Sequence, residues 1–232
     1  MNKISIVIPC YNEAESLPEL IDQIRKVKNY FNFVLVDNGS KDDTQKVLEN
    51  LKIPDNIKIL KKKINDGYGS GIKFGLKNVE TEYCGWMHSD LQQNISVLLD
   101  AKNLIEKLNK KGNDNPIALK GLRIGRSPFE NLFTVGVAVF SSILFLQRFW
   151  DIAGQPNIFK TSEIKFLDQA PDDHKFEFYV YIEFLRNHGK FIRFDAPFHE
   201  RRFGVSSWDK GFLSKLKHAK VVLKYILYLK FK

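Results

Sequence analysis

Four stretches of this sequence place polar or flexible residues directly after a short β-type run: residues 4–13 (ISIVIPCYNE), 34–44 (VLVDNGSKDDT), 65–71 (NDGYGSG) and 87–92 (MHSDLQ). Open α/β sheets bind nucleotides at such strand ends. Asp37 closes the second run before Asn38, Gly39 and Ser40, so its carboxylate can project above a sheet and accept hydrogen bonds from a base or ribose. A turn aspartate bonding its own backbone explains the same residues. Gly67, Gly69 and Gly71 make either a ligand loop or an ordinary flexible turn. Their spacing does not fit G-x-G-x-x-G, and the stretch lacks the G-K-[ST] ending of a phosphate loop, so dehydrogenase and kinase readings lose support. Lys120, Arg123 and Arg126 put three cations within seven residues after the strand-like residues 117–119. They form a natural phosphate site, with arginine gripping bidentately, or a solvated basic loop. A fifth segment, residues 200–208 (ERRFGVSSW), adds two adjacent arginines.

Strands and helices must alternate to position these residues, and the chain reads that way. Residues 4–8 form a β-branched run ended by Pro9, consistent with a buried strand. Asn12 and Glu15 have capping-box spacing, and Leu17, Leu20, Ile21, Ile24 and Val27 follow helical periodicity, which predicts a helix with one buried face. Residues 33–36 and 57–60 predict further strands, with a helix starting after residues 42–44. Residues 83–87 predict a fourth strand leading into His88, and residues 94–108 a helix. The βαβαβαβ order predicts a mostly parallel sheet covered by helices.

Composition bounds the reading. The 232 residues can bury a sizeable core, and 44% hydrophobic with 27% charged content excludes a largely disordered chain. The net charge of +9 points to an anionic partner: a phosphorylated substrate, an acidic membrane surface or nucleic acid. No aromatic-basic motif supports nucleic acid. Cys10 and Cys84 are too few for a disulfide framework or a cysteine zinc site, and the N-terminus lacks a signal-peptide pattern, so the expected address is cytoplasmic.

The five segments resemble, in order and spacing across residues 4–208, the inverting glycosyltransferase family with the GT-A fold, and within it the polyprenyl (dolichyl) phosphate mannose synthase-like members. The resemblance implies an α/β fold: a Rossmann-like nucleotide-diphospho-sugar transferase domain over residues 1–208, its mostly parallel sheet flanked by helices. Residues 209–232 follow as a basic amphipathic helix. Pro9, Tyr11 and Glu13 match positions lining the donor's base and ribose, and Asp37 matches the acid that holds the nucleoside. Gly67 and Gly69 fall in the donor loop. The family's D-x-D motif binds Mg or Mn; here Asp90 and Gln92 match its second aspartate and the following glutamine, but His88 replaces the first aspartate. His88 is then a metal ligand, or a hydrogen-bond donor beside an Asp90 that coordinates alone, or the mark of a degraded, inactive site. Lys120, Arg123 and Arg126 match basic residues that contact the acceptor phosphate. Asp151 lies in a segment resembling D-x-x-x-Q-P-K/N-x-F, which places it and Gln155 near the sugar. Arg201, Gly204 and Ser206 match R-x-x-G-x-S, whose arginine holds donor or acceptor phosphate; Arg202 is the substitute for Arg201. Asp90, Arg201 and Asp151 are the implied catalytic residues.

A sugar-hydroxyl acceptor needs a carboxylate base, whereas a polyprenyl phosphate is already ionised at neutral pH. Residues 172–177 (DDHKFE) offer carboxylates without the tight acidic pair of hydroxyl-using members, which favours polyprenyl phosphate. The expectation is an inverting, metal-assisted hexosyl transfer from a nucleotide-diphosphate sugar to polyprenyl phosphate at the inner face of the membrane. The alternatives are transfer to a sugar hydroxyl in cell-surface glycan synthesis, and a non-catalytic sugar-nucleotide-binding homologue. Residues 131–147 carry no charge yet fall short of the ~20 residues of a span, and are expected as a buried or interfacial helical pair. In residues 209–232, Phe212, Leu216, Ala219, Leu223 and Ile226 share one helical face, and Lys217, Lys220 and Lys224 another. That pattern suits a peripheral membrane contact or packing on the domain.

Overall fold

Alternate residues of β1 (Ile4–Cys10) point to opposite faces of a sheet, as the two-residue period of a strand requires, and both faces are apolar. Ile6 and Ile8 join one core cluster while Val7 joins the other. The computed structural model describes residues 3–111, 116–204 and 212–232. Beside β1 lie β2 (Asn32–Asn38) and β4 (Tyr83–Trp86), with β3 (Ile57–Lys62) beyond β2, all parallel. The sheet continues through β6 (Asn157–Lys160), β5 (Ile117–Ile124) and β7 (Lys190–Pro197), giving the order β3-β2-β1-β4-β6-β5-β7. Only β6 among these runs antiparallel to its neighbours, so the sheet is mostly parallel as expected.

Helices cover both faces. The apolar sides of α1 (Leu17–Val27) and α4 (Val97–Lys111) close one core. The other lies beneath α3 (Tyr68–Leu76), α6 (Phe176–Arg186) and α7 (Phe212–Phe231), with α5 (Pro128–Phe145) packed on its margin through Val137, Phe140, Leu144 and Phe145. The short α2 (Thr44–Asn50) follows β2.

Four expectations need correction. Helix α1 starts at Leu17 and has Ser16 at its N-cap; Asn12 sits in the left-handed region at φ 56° and instead accepts a hydrogen bond from the Lys41 amide at 2.8 Å. The glycine-rich stretch is turn only as far as Gly67. Gly69 lies inside α3, where a Cβ would come within 2.3 Å of the Pro171 carbonyl oxygen, so close packing requires that glycine. The uncharged residues 131–147 form one helix with a short turn rather than a helical pair. In α7 the buried face is Val222, Ile226 and Leu229, while Leu216 is exposed; the side chain of Phe212 lies outside the described residues.

The insertion of β6 beside β4 demands a close approach at Gly85, where a Cβ would stand 2.1 Å from the Asn157 carbonyl oxygen. A paired backbone cannot yield as a side-chain tip can. Gly85→Ala should therefore destabilise the fold by about 1–3 kcal/mol, read as a lower urea midpoint with an unchanged slope.

Candidate active site

Because β1, β2 and β4 are parallel neighbours, their carboxyl ends open on one crevice. A cavity of about 1610 Å³ occupies it, and its walls divide by element. Residues 9–13 at and beyond the end of β1, Asn38 at the end of β2, Asn65 and Gly67 before α3, and His88 to Asp90 with Gln92 and Gln93 after β4 form the more polar side. Phe198 to Arg201 and Gly204 after β7 complete that side. Phe133, Val137, Ile152, Phe178, Ala219 and Val222 supply an apolar side from α5, the segment before β6, α6 and α7. Arg123 from the end of β5 and Arg126 from the loop that leads into α5 also line the cavity.

Arg201 is the centre of the polar wall. Its Nη2 donates to Glu13 Oε1 at 2.7 Å, its Nη1 lies 3.6 Å from Asp90 Oδ2, and its Nε donates to the Phe203 carbonyl at 2.7 Å. Burial pushes the Glu13 carboxyl above its usual range, opposed by the Ser16 hydroxyl and the Arg201 charge. The two adjacent arginines separate clearly: Arg202 turns outward to pair with Glu19. Asp90 Oδ1 also accepts the Gln92 amide at 3.2 Å, and Gln92 is tied to His199 by two backbone-carbonyl bonds.

Exposed at the end of β4, His88 lies with its ring 5.3 Å from that of Tyr68. Among the described residues, no group of three or more His, Cys, Asp or Glu side chains could hold a metal unaided. Asp90 offers one carboxylate, the kind of ligand a hard cation takes, while an imidazole such as His88 suits softer first-row ions better. The pair does not suit a closed structural site.

Several expected site residues stand elsewhere. Asp37 is buried, does not line the cavity, and accepts the Ser40 amide at 3.0 Å, which is the turn geometry; Asn38 faces the cavity in its place. Gly69 is packed inside α3. Lys120 is buried rather than offered to an acceptor: its Nζ donates to the Gly154 carbonyl at 2.7 Å and to Asn157 Oδ1. Burial lowers its pKa to about 7 even though Glu177 lies 3.8 Å away. Asp151 is buried and engaged by Arg123, whose backbone amide donates to Oδ2 at 3.0 Å and whose guanidinium grips both oxygens. Burial pushes the Asp151 carboxyl up, but the Arg123 charge and hydrogen bonds outweigh it and hold it below the usual range. Ser206 lies outside the described residues.

The structure also fixes the place of Glu177, which the sequence offered among the carboxylates of residues 172–177, and adds two histidines to the cavity. Glu177 lines the cavity floor, where Oε1 accepts from Tyr68 Oη at 3.0 Å, Trp86 Nε1 at 2.8 Å and Gln155 Nε2 at 2.9 Å. Asn157 Nδ2 reaches Oε2 at 3.2 Å. The signal for Glu177 was its isolation as the one acid in the apolar run Phe176–Arg186 before Glu183, a pattern that requires a buried partner set. His174, just before α6, and His218 on α7 also line the cavity, with ring centroids 6.0 Å apart. Nothing in their local sequence marks them.

A crevice above parallel strand ends, with acids and a guanidinium on one wall, is where open α/β sheets bind their ligands. The chain belongs to glycosyl transferase family 2, whose family model matches residues 5–129. It is 33% identical over 98 residues to the undecaprenyl-phosphate 4-deoxy-4-formamido-L-arabinose transferase of Proteus mirabilis, covering 40% of this chain and 30% of that one. It is 26% identical over 166 residues to the dolichyl-phosphate beta-glucosyltransferase of Dictyostelium discoideum, covering 64% of this chain and 51% of that one. The chain thus spans no more than about half the length of these relatives. The fold matches the crystal structure of glucosyl-3-phosphoglycerate synthase from Mycobacterium tuberculosis in complex with Mn2+, UDP and glucosyl-3-phosphoglycerate. The TM-score is 0.71 at 14% identity, over 99% of this chain and 80% of that one, and establishes the GT-A fold.

The Arg123–Asp151 pair gives a test of this geometry. Asp151→Asn should cost about 3–5 kcal/mol at neutral pH by leaving Arg123 uncompensated. Since the folded Asp151 pKa is depressed, its contribution is complete above the unfolded value of about 3.9 and is lost as pH falls through the folded value. The stability gap between wild type and variant, measured by urea titration at each pH, should narrow below about pH 4.

Proposed function

We propose that this chain transfers a hexosyl group from a nucleotide-diphosphate sugar to a polyprenyl phosphate, with inversion at the sugar. The observation that carries the reading is the divided cavity: acids and Arg201 on the strand-end side, apolar side chains of α5, α6 and α7 on the other, with Arg123 at the end of β5 and Arg126 before α5. A nucleotide sugar suits the first wall and a lipid phosphate the second. The names of the Proteus and Dictyostelium relatives, which include undecaprenyl phosphate and dolichyl phosphate, support the same acceptor class.

In the proposed step, an acceptor phosphate oxygen bonds to the anomeric carbon as the bond from that carbon to the donor diphosphate breaks. The electron pair leaves on the nucleoside diphosphate. Arg201, held by Glu13 and Asp90, stands where it can stabilise that developing charge without reorganising. Asp90, with His88 beside it, would hold a divalent Mg or Mn ion, which when bound neutralises diphosphate charge. The Mn2+ and UDP bound in the mycobacterial structure support that assignment.

The carboxylates favour an acceptor that needs no base. Glu177 is saturated by four donors, Glu13 is committed to Arg201 and Ser16, and neither Asp172 nor Asp173 lines the cavity. Glu200, exposed at the lining, is the one to test for a hydroxyl acceptor.

Incubation with labelled nucleotide sugars and undecaprenyl phosphate should carry label into the organic phase. Asp90→Asn and Arg201→Gln should each lower turnover by about 10²–10³-fold, whereas Glu200→Gln should leave it within about threefold, since a phosphate acceptor needs no base. No organic-phase label with any sugar donor would sink the lipid acceptor. Label on a water-soluble glycan that disappears in Glu200→Gln would replace it with a hydroxyl acceptor.

A further inference from the structure

Helix α5 exposes an apolar stripe to solvent. Leu132, Gly136, Val139, Ile143 and Leu146 recur at spacings of four, three, four and three residues, and the four large side chains are 65%, 49%, 71% and 91% exposed. Residues 131–147 contain no charge to interrupt it. Of the thirteen large apolar side chains exposed among the described residues, nine belong to α5, the turn after it, or α7. A soluble surface does not concentrate such residues without a partner.

We propose that this face docks on an anionic lipid surface, with α5 lying in the plane of the interface and its outer stripe inserted; the proposal deepens, and rests on, the lipid-acceptor reading. Charge selects this occupant. Lys217, Lys220, Lys224 and Lys230 are exposed on α7, and Lys230 stands 5.3 Å over the ring of Phe145, so the basic helix ends beside the apolar one. Anionic headgroups attract such a helix. A second copy would bring one chain of charge +9 against another, and the flanks of the α5 stripe lack the charged residues that pair helices in solution. Trp150 and Tyr228, both more than 40% exposed, add the amphipathic rings that settle at a headgroup boundary. No helix among the described residues is long and apolar enough to cross a membrane. A helix whose inner side packs along the protein can only lie flat.

Docking of this face would place the cavity directly behind the interface, because Phe133 and Val137 on the inner side of α5 and Ala219 and Val222 on α7 line it. An acceptor could then present its phosphate to the cavity while its chain stays among lipids.

The full chain should float with phosphatidylcholine vesicles that contain phosphatidylglycerol and less with phosphatidylcholine alone. The double variant Val139→Glu with Ile143→Glu should lose about tenfold or more of that partitioning, with unchanged thermal midpoint and unchanged UDP or GDP binding. Lys220→Glu with Lys224→Glu should abolish the preference for the anionic vesicles. Wild type that does not float, a Val139/Ile143 variant that floats as wild type does, or a dimer in light scattering that this variant dissociates would each overturn the docking face. Transfer to water-dispersed farnesyl phosphate separates the two readings. Label on farnesyl phosphate without flotation overturns docking alone, while flotation without label on any polyprenyl phosphate overturns the acceptor alone and leaves the docking result intact.

Discussion

A carboxylate taken out of water costs several kcal/mol unless donors surround it, and the cavity floor is organised around that demand at Glu177. Its two oxygens collect Tyr68 from α3, Trp86 from β4, Gln155 from the segment before β6, and Asn157 from β6 itself. Lys120 of β5 approaches to 3.8 Å and is itself fastened to Asn157 and the Gly154 carbonyl. All of these contacts cross from one part of the fold to another, so the antiparallel strand β6, the strands beside it and α6 are tied together through one carboxylate. Burial brings Lys120 to the edge of neutrality. The network consequently joins a strong acceptor to a base that gains little from staying protonated without it.

The second cluster works at the cavity wall. Glu13 follows β1, Asp90 follows β4 and Arg201 follows β7, and their meeting closes a loop of 188 residues between Glu13 and Arg201. Partial burial strengthens the attraction, and Ser16 shares the load on Glu13. Arg201 is thereby fixed in place before any ligand arrives, which is what electrostatic stabilisation of a leaving diphosphate requires.

Much of the nucleotide half was legible in the linear chain because local rules govern it. The β-branched runs of β1 and β2 announce buried parallel strands, and Pro9, Tyr11, Glu13, His88, Asp90 and Arg201 all line the cavity. The other half was less legible. Strand β6 has four residues and pairs only through distant contacts with β4 and β5. Lys120 reads as an exposed cation beside Arg123, yet the pleat of β5 turns it into the interior. Asp151 reads as a sugar contact, yet Arg123 arrives from 28 residues away and takes it. Glu177 passed as a candidate base because its donors come from four separate elements.

By itself, then, the sequence determined the alternation of strands and helices, the mostly parallel sheet and the polar segments at its strand ends, since periodicity and turn chemistry act over a few residues. It also determined which charges exist to be used. Only the tertiary structure decided which of them remain open to a ligand. Lys120 and Asp151 are consumed by buried pairing and Glu177, though it lines the cavity, is saturated by its donors, whereas Arg201, Asp90 and Arg126 reach the cavity. The reason is physical: desolvation forces every buried charge to find partners, and those partners are chosen by packing between residues far apart in the chain.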